Sequence, residues 1–226
     1  MLHPDELSAL RVSLQVAGTA AVLALPFAVG TGYWLARTRS RARVLVETLV
    51  NLPLVLPPVV TGYLLLVLLG RSGPLGSWLH ERLGLSLVFT WGGAVIAAMV
   101  VSFPLMVRAI RLAFEGLDPR LELAARSLGA SRLSAFFTVS LPLARPGLLA
   151  GALLAFARSL GEFGATIMIA GNIEGRTRTL PLAIYSLAHR PGGLESCWRM
   201  VLLSIACAAG ALLVSEWLAR RHEARP

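Results

Sequence analysis

The chain has 226 residues, 56% of them hydrophobic and only 15% charged, where soluble domains carry about 25% charge. That balance excludes a water-soluble enzyme built around a large core and indicates an integral membrane protein. The net charge is +9 and all 21 basic residues are arginine. Without a lysine there is no phosphate loop of the G-x-x-x-x-G-K-[ST] type, so any ATP-driven work requires the nucleotide to sit on another chain.

Met1 to Leu10 carries Asp5 and Glu6 and no basic residue, unlike the basic start of a secretory signal. The apolar run that follows is therefore expected to remain. Val12 to Ala36 has no charge and is long enough to cross the hydrocarbon core, which takes about 20 residues. A second uncharged run, Thr48 to Gly70, contains the stretch NLPLVLPPVVTGYLLL from Asn51 to Leu66. Each proline removes a backbone hydrogen bond and crowds the preceding turn. In a bilayer the freed carbonyls are tolerated only against protein or a water-filled cavity, so the segment is expected to face neighbouring helices or a dimer axis. Pro57, Pro58, Thr61 and Gly62 either shape packing there or form a gate. Leu75 to Val88, with Glu81 and Arg82, reads as an external loop with a short surface helix, and a third uncharged run covers Leu83 to Val107.

Between this run and the next lies EGLDPRLELAARSLGASRLSAFFTVSLP, residues 115–142. Asp118 before Pro119 is a helix start, the aspartate capping and the proline fitting the first turn. Leu121, Ala124, Ala125 and Leu128 recur at helical spacing on one stripe. Gly129 is a C-terminal stop. Ser131 caps a second short helix, which we expect Pro142 to end. Such a helix–glycine–helix unit suits either the lipid headgroup region or a groove on a partner. The small side chains of Ala124, Ala125 and Ala130 allow close approach and favour the partner.

The fourth run, Pro146 to Gly171, holds only Arg158 and Glu162. Charges this deep are costly, and their i, i+4 spacing lets them pair on one face. They form a structural ion pair or line a polar passage. Thr179 to Leu187 resembles the earlier external segment, and a fifth run covers about Cys197 to Leu218. Cys197 and Cys207 stand ten residues apart on one helix, beyond disulfide reach; both read as buried thiols. His3, His80, His189 and His222 lie outside the spans with no ligand cluster, so no metal site is expected. H-E-x-x-H, G-x-S-x-G and cysteine–histidine pairings are all absent, and so no catalysis is expected.

The fold class is thus all-α: a single polytopic membrane domain over 1–226, with about five transmembrane helices. Five crossings put the termini on opposite sides. Thirteen arginines fall on one side, including Arg37 to Arg43 and those from Arg108 to Arg145, and seven on the other. The richer side is the cytoplasmic one, which places the N-terminus outside and the C-terminus and loop 108–145 inside. The arginines flank spans and form no patch on a soluble face, so nucleic acid is not an expected partner.

The loop resembles the EAA loop in permease subunits of bacterial ABC importers: E-A-A, three residues, Gly, nine residues, I-x-L-P. Here Ala124 and Ala125 precede Gly129 at that spacing, and Val139-Ser140-Leu141-Pro142 occupies the I-x-L-P place. Leu123 stands where the glutamate belongs and Glu122 lies one residue early, a shift that resembles the molybdate branch. A-R-S-L-G-E-F-G-A from Ala157, T-R-T-L-P from Thr177, P-G-G from Pro191 and S-E-W-L-A-R from Ser215 are similar to that branch too. The resemblance implies an inner-membrane permease that holds no cofactor and imports molybdate. Sulfate, thiosulfate and tungstate are the alternatives within the superfamily. It also implies a homodimer, cytoplasmic ATPase subunits docking on 115–142 (Asp118, Leu121, Glu122, Ala124, Ala125, Leu128, Gly129, Ala130, Ser131) and an external oxyanion-binding protein. Pro57, Pro58, Thr61, Gly62 and Glu162 would then lie along the translocation path. A membrane-embedded enzyme and a receptor or scaffold are the readings from other classes.

Overall fold

The computed structural model describes residues 3–193 and 197–223, with side chains as far as Val214. The S-E-W-L-A-R ending, His222 and the arginines from Arg220 onward lie outside the described side chains. The described residues form helices and no strands.

Helix α1, Pro4–Arg37, starts with the His3 N–H donating to Glu6 Oε2 at 2.7 Å. Asp5 and Glu6 in its first turn and Arg37 in its last complement the helix dipole. Its buried face is a ladder of small residues: Ala17, Ala20, Ala21, Ala24, Ala28 and Gly32. Lipid tails are as apolar as leucine, so membrane helices associate by close packing, and small residues permit it. A Cβ on Gly32 would stand 2.9 Å from Ile110 Cγ2 and 3.2 Å from the Arg111 backbone nitrogen. This close approach joins α1 to α5, Trp91–Glu115. The core runs along their contact. Toward the α1 N-terminus it holds Val12, Val16, Ala94, Ala98 and Val101; toward the α1 C-terminus it holds Ala28, Leu35, Met106, Ile110 and Phe114.

The proline-rich run folds as two helices, α2 (Ala42–Val55) and α3 (Pro58–Leu69), bent by 112°. Pro57 and Pro58 force the residues before them out of helical geometry: Leu56 has ψ 143° and Pro57 ψ 133°. Pro53, inside α2, does not break the helix. A short α4, Pro74–Leu83, ends at Gly84 with φ +64°. Where a span from residue 83 is expected, 84–90 are non-helical and α5 starts after Thr90, whose Oγ1 accepts the Gly93 N–H at 3.3 Å. The helix then continues to Glu115, past the apolar run, because Arg108, Arg111 and Glu115 sit well in a helix.

Helix α6, Pro119–Ser127, forms where expected, with Asp118 accepting the Arg120 N–H. Gly129 ends it at φ +97°, and the Ala130 N–H reaches back to the Ala125 carbonyl, as in a Schellman cap. The next helix departs from expectation. Ser131 caps it, accepting the Ser134 N–H at 3.1 Å, but Pro142 does not end it. A wide π turn over Phe136–Ser140 precedes the proline, displacing the carbonyl with which the ring would clash in an α-helix. The chain runs on as α7, Arg132–Leu160. The expected fourth span is also interrupted: 161–163 break the helix and a short α8, Gly164–Ala170, resumes. Helices α9, Leu180–Ala188, and α10, Trp198–Glu223, follow among the described residues.

By length and composition α1, α5 and α7 can each cross a membrane, and the bent α2–α3 pair raises the number to four. The fifth expected span falls on α10, described as an apolar helix over Trp198–Val214. Cys197 is buried and Cys207 half-buried; both are free thiols. At one end of the bundle the Leu180 N–H donates to Ser13 Oγ at 2.7 Å. The α1 C-terminus, α2, the α5 C-terminus and α6 meet at the other.

Candidate docking face and buried charge pair

Helix α6 has two dissimilar faces. Leu121, Leu123, Ala124 and Leu128 point away from the domain, and Leu128 is 90% exposed. Asp118, Gly129 and Ser131 are exposed as well, whereas Ala125 and Ala130 are half-buried. Leu133 and Phe137, on the first turns of α7, extend this apolar surface. The sequence reading gave these two residues no role; their i, i+4 spacing was the available signal.

Glu122 is turned the other way. Its Oε1 accepts a hydrogen bond from Tyr33 Oη of α1 at 2.8 Å, and its Oε2 accepts one from Ser140 Oγ of α7 at 3.1 Å. The Tyr33 ring stands edge-on to Phe114 and Phe136, with centroids 5.2 and 4.8 Å away.

Beside this end lies a charged network that the sequence did not reveal. Arg111 donates through Nη1 to Glu47 at 2.6 Å and through Nε to Glu115 at 2.8 Å, and Arg43 reaches the same Glu115 oxygen at 3.1 Å. Glu47, Arg111 and Glu115 border a cavity of about 450 Å³, also lined by Asn51 and Arg108. The side chains are 20–40% exposed, so solvent weakens the pairs. Arg111→Ala removes two of them and should cost about 1 kcal/mol, less at high salt. Thermal midpoints in detergent at two ionic strengths check this.

Deeper in the bundle, Arg158 and Glu162 pair as their spacing predicts, at 3.1 Å. Glu162 is 3% exposed, and its other oxygen is also engaged. Oε1 accepts the Ala165 N–H at 2.8 Å, satisfying the start of α8. That helix lies hard against α3. A Cβ on Gly62 would come within 2.7 Å of Ala165 Cα, and one on Gly164 within 2.9 Å of Pro58 Cβ. The structure therefore brings Pro58, Thr61, Gly62 and Glu162 to one helix pair. Thr61 and Gly62 are buried, and Thr61 Oγ1 has no hydrogen-bond partner among the described residues; Pro57 and Pro58 are exposed. Among the described residues no group of three or more histidine, cysteine or acidic side chains could hold a metal.

Residues 28–225 match the family described as binding-protein-dependent transport system inner membrane component. The chain is 52% identical over 220 residues to the molybdenum transport system permease protein ModB of Escherichia coli (strain K12), covering 97% of this chain and 96% of that protein. The ModB of Haemophilus influenzae is 50% identical over 218 residues, covering 96% and 95%. Among solved structures, an inward-facing MetNI methionine ABC transporter superposes with a TM-score of 0.72 at 16% identity, covering 98% of this chain and 99% of that one. With its all-helical fold and membrane-length apolar helices, the chain belongs to the family of binding-protein-dependent transport system inner membrane components.

Proposed function

We propose that this chain is the membrane-spanning permease subunit of an ATP-driven importer that carries molybdate across the bacterial inner membrane. It forms a single transmembrane domain that works as a homodimer, with hydrolysis on separate ATPase subunits and delivery by an extracytoplasmic oxyanion-binding protein. The observation that carries this reading is the exposed apolar face of α6 and the start of α7, presented by a helix whose opposite face is anchored to the domain. A helix held on one side and bare on the other suits a groove on a partner. Similarity to ModB proteins over nearly the whole chain supports the choice of anion. The arginine excess at the α6 end supports a cytoplasmic position for that end.

The test is reconstitution of the permease with its ATPase and binding protein in proteoliposomes, followed by uptake of labelled molybdate against excess sulfate or tungstate. Uptake that resists sulfate supports the reading; preferential loss to sulfate or tungstate reassigns the anion. Leu128→Asp places a charge on the most exposed apolar residue of this face and should weaken ATPase association about 30-fold or more, as expected for an interface hot spot. Copurification of the ATPase with tagged permease measures this. Retention of the ATPase at the wild-type level would remove α6 as its dock.

A further inference from the structure

The resemblance to other permeases counts Glu122 among the docking residues, but its geometry assigns it elsewhere. Both carboxylate oxygens are engaged within the chain, one by Tyr33 of α1 and one by Ser140 of α7. Among the described residues, no other side chain of α6 hydrogen-bonds to the rest of the domain. Ser140 is 2% exposed and is the last residue of the π turn. Tyr33 is wedged between Phe114, which is fully buried, and Phe136. One carboxylate thus ties three helices at the point where α6 meets the bundle. Hydrogen bonds to an ionised acceptor are about twice as strong as neutral ones, and π turns recur at functional sites in helices.

We infer that Glu122 is a positioning residue that couples displacement of α6 to α1 and to the π turn of α7, and that it is not a contact for the ATPase. The inference rests on α6 being the docking helix. A partner seated on Leu121, Leu123 and Leu128 moves α6 as a body. The load passes through the Glu122 carboxylate to Tyr33 and Ser140, the two side chains that α6 holds.

The experiment uses the reconstituted permease–ATPase complex with Glu122→Ala, Glu122→Gln, Tyr33→Phe and Ser140→Ala. The readouts are ATPase copurified, ATP hydrolysed and molybdate imported. Glu122→Ala should retain the ATPase at the wild-type ratio while molybdate imported per ATP falls about tenfold. Tyr33→Phe and Ser140→Ala should each lower that ratio, and neither should lower it further in the Glu122→Ala background, because all three act through one carboxylate. Copurification that falls as in Leu128→Asp would make Glu122 a docking contact and overturn the inference; so would an unchanged transport ratio. A measurement without ATPase separates this from the docking reading. Spin labels on Leu128→Cys and Arg41→Cys, in a Cys197→Ser, Cys207→Ser background, should give a distance distribution that broadens in Glu122→Ala. An unchanged distribution would sink the inference even if docking on α6 stands.

Discussion

Glu162→Ala is expected to destabilise the protein by about 3–5 kcal/mol, the usual cost of removing one member of a buried ion pair. The carboxylate is almost wholly buried and does two jobs, pairing with Arg158 and accepting the Ala165 N–H. Its loss leaves a guanidinium 30% exposed in a low-dielectric setting and the first turn of α8 uncapped. Glu162→Gln keeps an acceptor for Ala165 while removing the charge, so its cost should fall between alanine and wild type. Thermal unfolding in detergent orders the three proteins. If Glu162→Ala unfolds with the wild type while transport fails, the pair is not a structural lock, and lining a polar passage becomes its role.

Gly62→Ala should be the next most damaging change. The added carbon would meet Ala165 Cα at 2.7 Å, its carbonyl oxygen at 2.8 Å and Met168 Cβ at 2.8 Å. Two of the three are backbone atoms, so no rotamer change relieves the contact and α3 must move off α8. Overpacking of this kind costs about 1–3 kcal/mol. Gly164→Ala presses on the same contact from the other side, so the double variant should lose less than the sum of the two. Gly18 and Gly30 of α1 have nothing within 4 Å of an added Cβ. Alanine there should be neutral or stabilising by up to about 1 kcal/mol through helix propensity. Unfolding midpoints for the four single variants decide the matter. Equal losses at Gly62 and Gly18 would show that close packing of α3 on α8 is not what Gly62 provides.

The parts of the fold written in local chemistry were legible in the sequence. Asp118–Pro119 and Gly129 bracket α6 because capping and left-handed geometry depend on the residues at those places. Arg158 and Glu162 pair because a helix puts i and i+4 together. Pro142 misled because whether a proline ends a helix depends on the turn before it, and the π turn over Phe136–Ser140 has no plain compositional sign. The break at 161–163 was hidden for a related reason: Gly161 and Gly164 fit a continuous membrane helix as well as a broken one. The Arg111–Glu47 contact joins residues 64 apart in sequence, and nothing local marks such a pairing. Glu122 was the subtlest case. Spacing puts it on α6, but which face of α6 looks inward depends on how α1 and α7 pack around it.

The bend between α2 and α3 has a consequence for the surrounding lipid. Their 14 and 12 residues rise about 21 and 18 Å, and at 112° the two arms reach only about 22 Å from end to end. The acyl-chain layer is about 30 Å thick, so any face of this pair that met lipid would fall about 8 Å short of it, a hydrophobic mismatch costing a fraction of a kcal/mol per ångström. Protein against the pair would remove that deficit, in keeping with a position beside neighbouring helices or a dimer axis.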